Sequence, residues 1–289
     1  MTMRLTLREL EVFIAVADAG TVTRAADTLA LTQSAASQAL ASLENGLGVT
    51  LFDRVGRRLL LNEHGRLLLT PARALLDGAR GIEQLFDGAA VALRLGASTT
   101  VANYLLPAQL ARFRAARPDA RVELEVANTH DIVEAVAAFA VDVGFIEGPC
   151  HHPDLRVTPW RDDELAVFVG AGHPLAHRPV SLAELAEVQW ILRETGSGTR
   201  EEVERLLLPE LGALPVALEI GHSEAIKHLV AAGMGVSCLS RVVIADLLAA
   251  GSLVEVDAPL PVLRRPLYRI MHREKVVTRG LAAFLDETD

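Results

Sequence analysis

Three short helical patterns crowd into residues 6 to 45, and so close a spacing leaves few folds open. Thr6-Leu7-Arg8-Glu9 reads as a capping box, in which the Thr6 hydroxyl accepts from the Glu9 amide and the Glu9 carboxylate reaches back. Leu7, Leu10, Phe13, Ile14 and Ala17 then recur at helical spacing, and Asp18-Ala19-Gly20 closes the run on a glycine. Thr23 is placed to cap a second short helix through Leu29, and Thr32 a third that runs to a break at Asn45-Gly46. Ala25, Ala26, Leu29, Ala36, Leu40 and Leu43 form the inward faces, and the small alanines let the two helices cross closely over a short turn. That is the helix-turn-helix pattern. It puts Gln33, Ser34, Ser37 and Gln38, behind the capping Thr32, at the exposed start of the third helix, the end that enters the major groove in this motif. Glutamine can bond an adenine edge twice and serine several base edges, whereas a polar face that meets only solvent would look the same in isolation.

The next segment favours the nucleic-acid reading. Val49–Arg54 and Leu59–Leu61 read as two short strands around Val55-Gly56-Arg57-Arg58, a glycine turn with adjacent cations. This predicts a wing on which Arg54, Arg57 and Arg58 meet phosphates or a minor groove, with scattered surface arginines as the alternative. A net charge of −9 weighs against general affinity for nucleic acid. Its distribution weighs more, because ten arginines balance ten acidic residues within residues 1–94 and the whole acidic excess lies beyond them. Affinity must therefore come from locally placed arginines, and from using each of them twice in a dimer.

From Glu63 to Leu93 the chain reads as one long helix with Leu68, Ala72, Leu75, Ala79, Ile82, Phe86 and Ala89 in alternating steps of four and three. Pro71 is expected to kink it or divide it near Leu69. Such a seam suits a partner helix, although packing on the chain's own domain is the alternative. After Arg94, strand patterns at Ala92–Ala97, Arg121–Ala127 and Val141–Glu147 alternate with helical ones at residues 101–117 and 131–139, which predicts a parallel α/β unit. A second unit follows from Leu165 to Leu263, with strands at Leu165–Gly170, Trp190–Arg193, Leu218–Ile220 and Gly235–Leu239. The 289 residues thus divide into two or three domains. No uninterrupted apolar stretch approaches the roughly 18 residues of a membrane span, and the N-terminus carries no export signal, so a soluble cytoplasmic protein without membrane contact is expected. In that compartment Cys150 and Cys238 should be free thiols.

Leu10-Glu11-Val12-Phe13 followed by Gly20, Arg24-Ala25-Ala26 with Leu29, Thr32-Gln33-Ser34-Ala35-Ala36-Ser37, Leu43-Glu44, Leu51-Phe52-Asp53-Arg54 and Thr70-Pro71-Ala72 together resemble the LysR-type transcriptional regulators, over the whole chain. One departure is that Gln38 and Ala39 stand where members often have a basic residue and a glutamine. The resemblance implies an N-terminal winged helix-turn-helix DNA-binding domain (1–62), a linker dimerisation helix (63–93) and an α/β effector-binding domain (94–289). That last domain would be two-lobed, like a periplasmic binding protein, with lobe 1 at about 94–163 and 268–289 and lobe 2 at about 164–267. It further implies a homodimer assembling to a homotetramer on double-stranded promoter DNA, with RNA polymerase a further partner, no catalysis and no cofactor.

In such folds ligands bind where strand ends meet helix starts. Ser98, Thr99 and Thr100 follow the first strand, as hydroxyls for an anion or as helix caps. Asn128 ends the second strand in the same two-sided way. The turn Arg193-Glu194-Thr195-Gly196-Ser197-Gly198-Thr199-Arg200 is like a phosphate-cradling loop, and Thr195, Ser197, Gly198 and Thr199 are its candidate ligands. It lacks the lysine and spacing of a nucleotide-binding P-loop. It resembles the subset of the family that governs sulfur assimilation and carbon fixation, which implies an oxyanion or anionic metabolite as effector. His222 and Ser223 open a further helix facing the same crevice. The direction of Glu147, which would repel an anion, is left open. Cys150-His151-His152 between prolines reads as a surface turn, not a metal site. A solute-binding protein, or an enzyme acting on a small phosphorylated substrate, is the rival reading; the N-terminal module counts against the first and the lack of a local acid–base signature against the second.

Overall fold

The computed structural model describes residues 5–56, 58–86 and 91–288. The chain divides into two compact units, one holding residues 1–89 with the short segments Ala138–Ala140 and Glu274–Thr278, the other the remainder.

In the first unit, α1 (Leu7–Ala19) starts at the expected capping box, with the Glu9 amide 3.2 Å from Thr6 Oγ1 and the Thr6 amide 2.7 Å from Glu9 Oε2. The second helix, α2 (Val22–Thr28), is capped by Thr21 and not by Thr23. An N-cap needs extended backbone, and Thr21 has it (φ −149°, ψ 145°) directly after the turn at Gly20. The third helix, α3 (Gln33–Leu47), is capped by Thr32 and runs past Asn45-Gly46 to Gly48. A glycine inside a helix costs only about 1 kcal/mol relative to alanine, whereas the left-handed cap (φ +75°) falls at Gly48, which no side-chain-bearing residue fits as cheaply. Strands β1 (Phe52–Val55) and β2 (Arg58–Leu61) pair antiparallel, Phe52 opposite Leu61, and form the wing; Arg57 lies outside the described residues. The Leu59 amide donates to the Gly20 carbonyl (2.9 Å), which ties the wing to the α1–α2 turn. Leu10, Phe13, Val16, Ala25, Ala26, Ala36, Leu40, Leu43, Leu51 and Phe52 make one apolar core.

The linker helix α4 (Glu63–Phe86) corrects two expectations, a division near Leu69 and an end at Leu93. It continues unbroken through Pro71, which is exposed, so the carbonyl left without a partner can meet water. It is also shorter at its far end, because Leu93 is a buried strand residue. Its seam divides: Ala72, with Leu76, is buried in the first unit's core, whereas Leu75 and Ile82 are 48% and 60% exposed. Phe86 and Ala89 lie outside the described side chains.

The second unit is one mixed sheet, in which the parallel strands expected on each side are joined through an antiparallel pair. Its elements in order are β3 (Ala92–Ser98), a π-helical turn (Val101–Leu105), α5 (Leu106–Ala116), β4 (Arg121–Ala127), α6 (Thr129–Ala137), β5 (Val143–Glu147) and β6 (Leu155–Gly170). There follow α7 (Leu182–Glu187), β7 (Trp190–Leu192), α8 (Gly198–Leu211), β8 (Val216–Glu219), α9 (Ser223–Ala231) and β9 (Val236–Ser240). Then come α10 (Arg241–Ala249), β10 (Leu253–Glu255), β11 (Arg264–His272) and α11 (Arg279–Thr288). The strand order is β4-β3-β5-β11-β6-β9-β7-β8, with β10 on β6. Strands β4, β3 and β5 are parallel on one side and β8, β7 and β9 on the other, while β11 and β6 run antiparallel between them. The 16-residue β6 is longer than the predicted Leu165–Gly170. Its first part alternates apolar and polar residues only over 155–158 before Pro159 and a run of charge, and is held by backbone pairing to β11. Each side has its own apolar core, one around Leu95, Phe113, Phe145 and Phe284, the other around Val167, Trp190, Val203 and Val236.

Candidate nucleic-acid interface and effector site

At the start of α3, Gln33, Ser34, Ser37 and Gln38 are exposed, while Ala36, Leu40 and Leu43 on the opposite face are buried. Thr32 Oγ1 accepts from the Ala35 amide (3.2 Å) and lies 3.0 Å from Ser34 Oγ, so these two hydroxyls are partly committed to the cap. Gln33, Ser37 and Gln38 are exposed beside them. On the wing, Arg54 stands opposite Leu59 and Arg58 opposite Val55. Alternation along a strand therefore sends Arg54 and Arg58 to opposite faces of the ribbon. Arg58 borders an open groove of about 540 Å³ that Thr21 and Arg24 also line. Arg24 was legible in the sequence only as part of a motif, because nothing local marks a lone exposed arginine as a phosphate grip.

In the second unit the strand ends converge on a buried arginine that no sequence pattern marks as a ligand. Arg193, following β7, has a side chain only 2% exposed. Its Nη1 donates to Thr99 Oγ1 (2.8 Å), after β3, and to Ser223 Oγ (3.0 Å), at the start of α9. Its Nε and Nη2 donate to the two oxygens of Glu194, each at 2.7 Å. Partial burial pushes the Glu194 carboxyl up, but hydrogen bonds from Arg193, with a contribution from the Asn128 amide, outweigh it and hold the group below its ordinary range. The Arg200 guanidinium fixes the Arg193 carbonyl from below (2.9 Å). Thus Thr99 and Ser223, from two different strand ends, meet at one guanidinium, and Asn128, from a third, meets the carboxylate that the guanidinium holds.

The remaining candidates are placed otherwise. Asn128 Oδ1 also caps α6 by accepting from the Asp131 amide (2.9 Å). Ser197 caps α8, and Thr199 Oγ1 accepts from Arg265 Nη1 (2.8 Å), so two of the three hydroxyls of the glycine turn are buried and engaged within the chain. Gly198 is required by close approach, since a Cβ there would sit 2.2 Å from the Glu147 carbonyl oxygen. Ser98 Oγ and Thr100 are buried, and Ser98 Oγ has no hydrogen-bond partner among the described residues. Thr195 and His222 are exposed, and the His222 ring makes no cap bond. Glu147 is turned inward, its Oε2 accepting from Thr129 Oγ1 (3.3 Å) and its Oε1 3.9 Å from Arg265. Arg265, wholly buried, is paired chiefly with Asp163 at 2.7 Å. A second contact joins the two sides of the sheet: the Tyr104 hydroxyl donates to Glu224, beside the buried Lys227, which lies 2.9 Å from Glu224 and 3.1 Å from Asp246. Burial and then the Glu224 hydrogen bond push the Tyr104 hydroxyl up to about 12. Both cysteines are unpaired; burial pushes the Cys238 thiol up to about 12.

Residues 7–66 match the bacterial regulatory helix-turn-helix protein of the lysR family, and residues 87–288 match the LysR substrate binding domain. The chain belongs to the LysR family. Its LysR relatives include the uncharacterized HTH-type transcriptional regulator YeiE of Escherichia coli K12, 54% identical over 99% of this chain and 98% of YeiE. They also include the RuBisCO operon transcriptional regulator of Allochromatium vinosum, 32% identical over 98% of this chain and 95% of that one. Among solved structures, the Synechocystis CcmR regulatory domain in complex with 2-PG is 31% identical, with a TM-score of 0.63 over 68% of this chain and 95% of that chain. This LysR chain is accordingly a DNA-binding transcription regulator with an effector-binding domain, and not an enzyme.

Proposed function

We propose that the chain regulates promoters in the cytoplasm in answer to a small anionic effector held between the two sides of its C-terminal sheet. The observation that carries this reading is the Arg193 guanidinium, buried and aimed at hydroxyls from separate strand ends. A buried guanidinium whose Nη1 donates to the hydroxyls of Thr99 and Ser223, and whose other two nitrogens bind the Glu194 carboxylate, has the chemistry to take an oxyanion, and the structurally similar CcmR domain with 2-PG supports an effector in this class. Thr99, Asn128, Ser223 and the hydroxyl of Ser98 are the ligands proposed beside Arg193; Thr195, Gly198 and His222 line the approach, and Thr100, Ser197 and Thr199 support it. Gln33, Ser37 and Gln38 read bases, with Thr32 and Ser34 near phosphate, and Arg24, Arg54, Arg57 and Arg58 grip the backbone.

The division into a DNA-binding domain (1–62), a linker from residue 63 and an effector domain that takes in β3 from Ala92 onward follows from these roles, with the second lobe at about 164–267. The exposed Leu75 and Ile82 of α4 supply the face on which a second copy packs, and a tetramer of two such dimers spans neighbouring half-sites. Effector uptake shifts the angle between dimers, which changes DNA bending and the contact with RNA polymerase. Thermal-shift titration of the full chain with sulfate, phosphate and 2-PG at constant ionic strength tests the effector reading. A rise in Tm that is lost in Arg193→Lys supports it, because lysine keeps the charge and removes the fork; a rise that persists in that variant overturns it.

A further inference from the structure

The Arg193 fork already holds a carboxylate, and that carboxylate belongs to the chain. Nε and Nη2 each lie 2.7 Å from a Glu194 oxygen, the two-point geometry with which an arginine binds an external carboxylate or one face of a tetrahedral oxyanion. The two partners are held unequally. Arg193 is 2% exposed and fastened through Nη1 to Thr99 and Ser223, with its own carbonyl bound by Arg200. Glu194 is 22% exposed, and beyond the fork its carboxylate is met by the Asn128 amide, itself engaged in capping α6. The cation is buried and fastened, whereas the anion is partly open to solvent.

We infer that Glu194 is a tethered stand-in for the effector, which fills the Arg193 fork in the empty protein and must be displaced by the incoming anion. This rests on the reading of the Arg193 cluster as the effector site. Three consequences follow. The ligand class narrows to molecules offering two oxygens on one centre, as a carboxylate, sulfate or phosphate does. The buried guanidinium is never left without a counter-charge, so the empty domain stays folded. The apparent affinity is lowered by the fraction of time the fork is closed, so the response threshold is set within the chain.

Isothermal titration of the full chain with sulfate, at constant ionic strength, tests this with Glu194→Gln. The glutamine keeps the length and loses the charge. We expect E194Q to bind sulfate about tenfold or more tightly than the native chain, equivalent to ~1.4 kcal/mol or more, and to have a lower Tm without anion that sulfate restores. Glu194→Asp, one methylene short of the fork, keeps the charge if E194Q proves unstable, and should shift affinity in the same direction by less. Equal or weaker binding by both variants overturns the stand-in while leaving the anion site intact. Sulfate binding by neither the native chain nor the variants overturns the site reading itself, and the stand-in with it.

Discussion

Two helix starts in this molecule are written in nearly the same chemistry and used in opposite ways. Thr32-Gln33-Ser34 opens α3 and Ser197-Gly198-Thr199 opens α8, each with a hydroxyl cap accepting from the amide three residues on. At α3 the residues after the cap are exposed and free to meet a partner. At α8 they are buried, and Thr199 is taken by Arg265. Local sequence therefore specifies the cap in both places, while the surrounding fold decides whether the polar groups face outward as a reading surface or inward as a brace.

That contrast can be broken most forcefully at the brace. Arg265→Met leaves Asp163 and Glu147 buried without their cation and is expected to cost about 3–5 kcal/mol in denaturant unfolding; a cost below about 1 kcal/mol, the scale of an exposed ion pair, would show that the network is not structural. At the reading surface Gln33→Ala should lose about 1–3 kcal/mol of discrimination at one operator base, while stability stays within about 0.5 kcal/mol. The caps sharpen the comparison. Thr32→Ala and Ser197→Ala should each destabilise by roughly 1 kcal/mol, but only the first should weaken operator binding in fluorescence anisotropy. The smallest effect is expected at the wing, where Arg58→Ala should reduce the slope of log affinity against log salt by about 1, the share of a single phosphate grip.

The same contrast explains what could be read in the sequence. The N-terminal unit was legible because its signals are local: a capping box at Thr6, alanines where helices cross, and a glycine between the wing strands. Its errors were also local, one cap displaced from Thr23 to Thr21 and one helix end moved from Asn45-Gly46 to Gly48. In the effector domain the strand ends were legible, and Thr99, Asn128 and Ser223 do gather. Arg193, which Thr99 and Ser223 share and whose carboxylate partner Glu194 meets Asn128, was not. Arg193 ends an apolar run and gives a faint signal, but Arg265 meets Asp163 across 102 residues of chain, a pairing that no periodicity encodes. The linker stands between these cases, since a seven-residue seam looks alike whether it packs at home, as Ala72 does, or waits for a partner, as Leu75 and Ile82 do.

Strand β6 belongs to both sides of the sheet, pairing with β11 along its first part and with β9 and β10 along its second. Where it crosses β11 the register slips by one residue at Trp160, whose indole is held by the Thr288 carbonyl (2.8 Å). The two sides are thus joined by hydrogen-bonded ribbon and not by slack loop. Turning one side against the other winds that ribbon like a torsion spring. The backbone hydrogen bonds between β6 and β11 resist that winding.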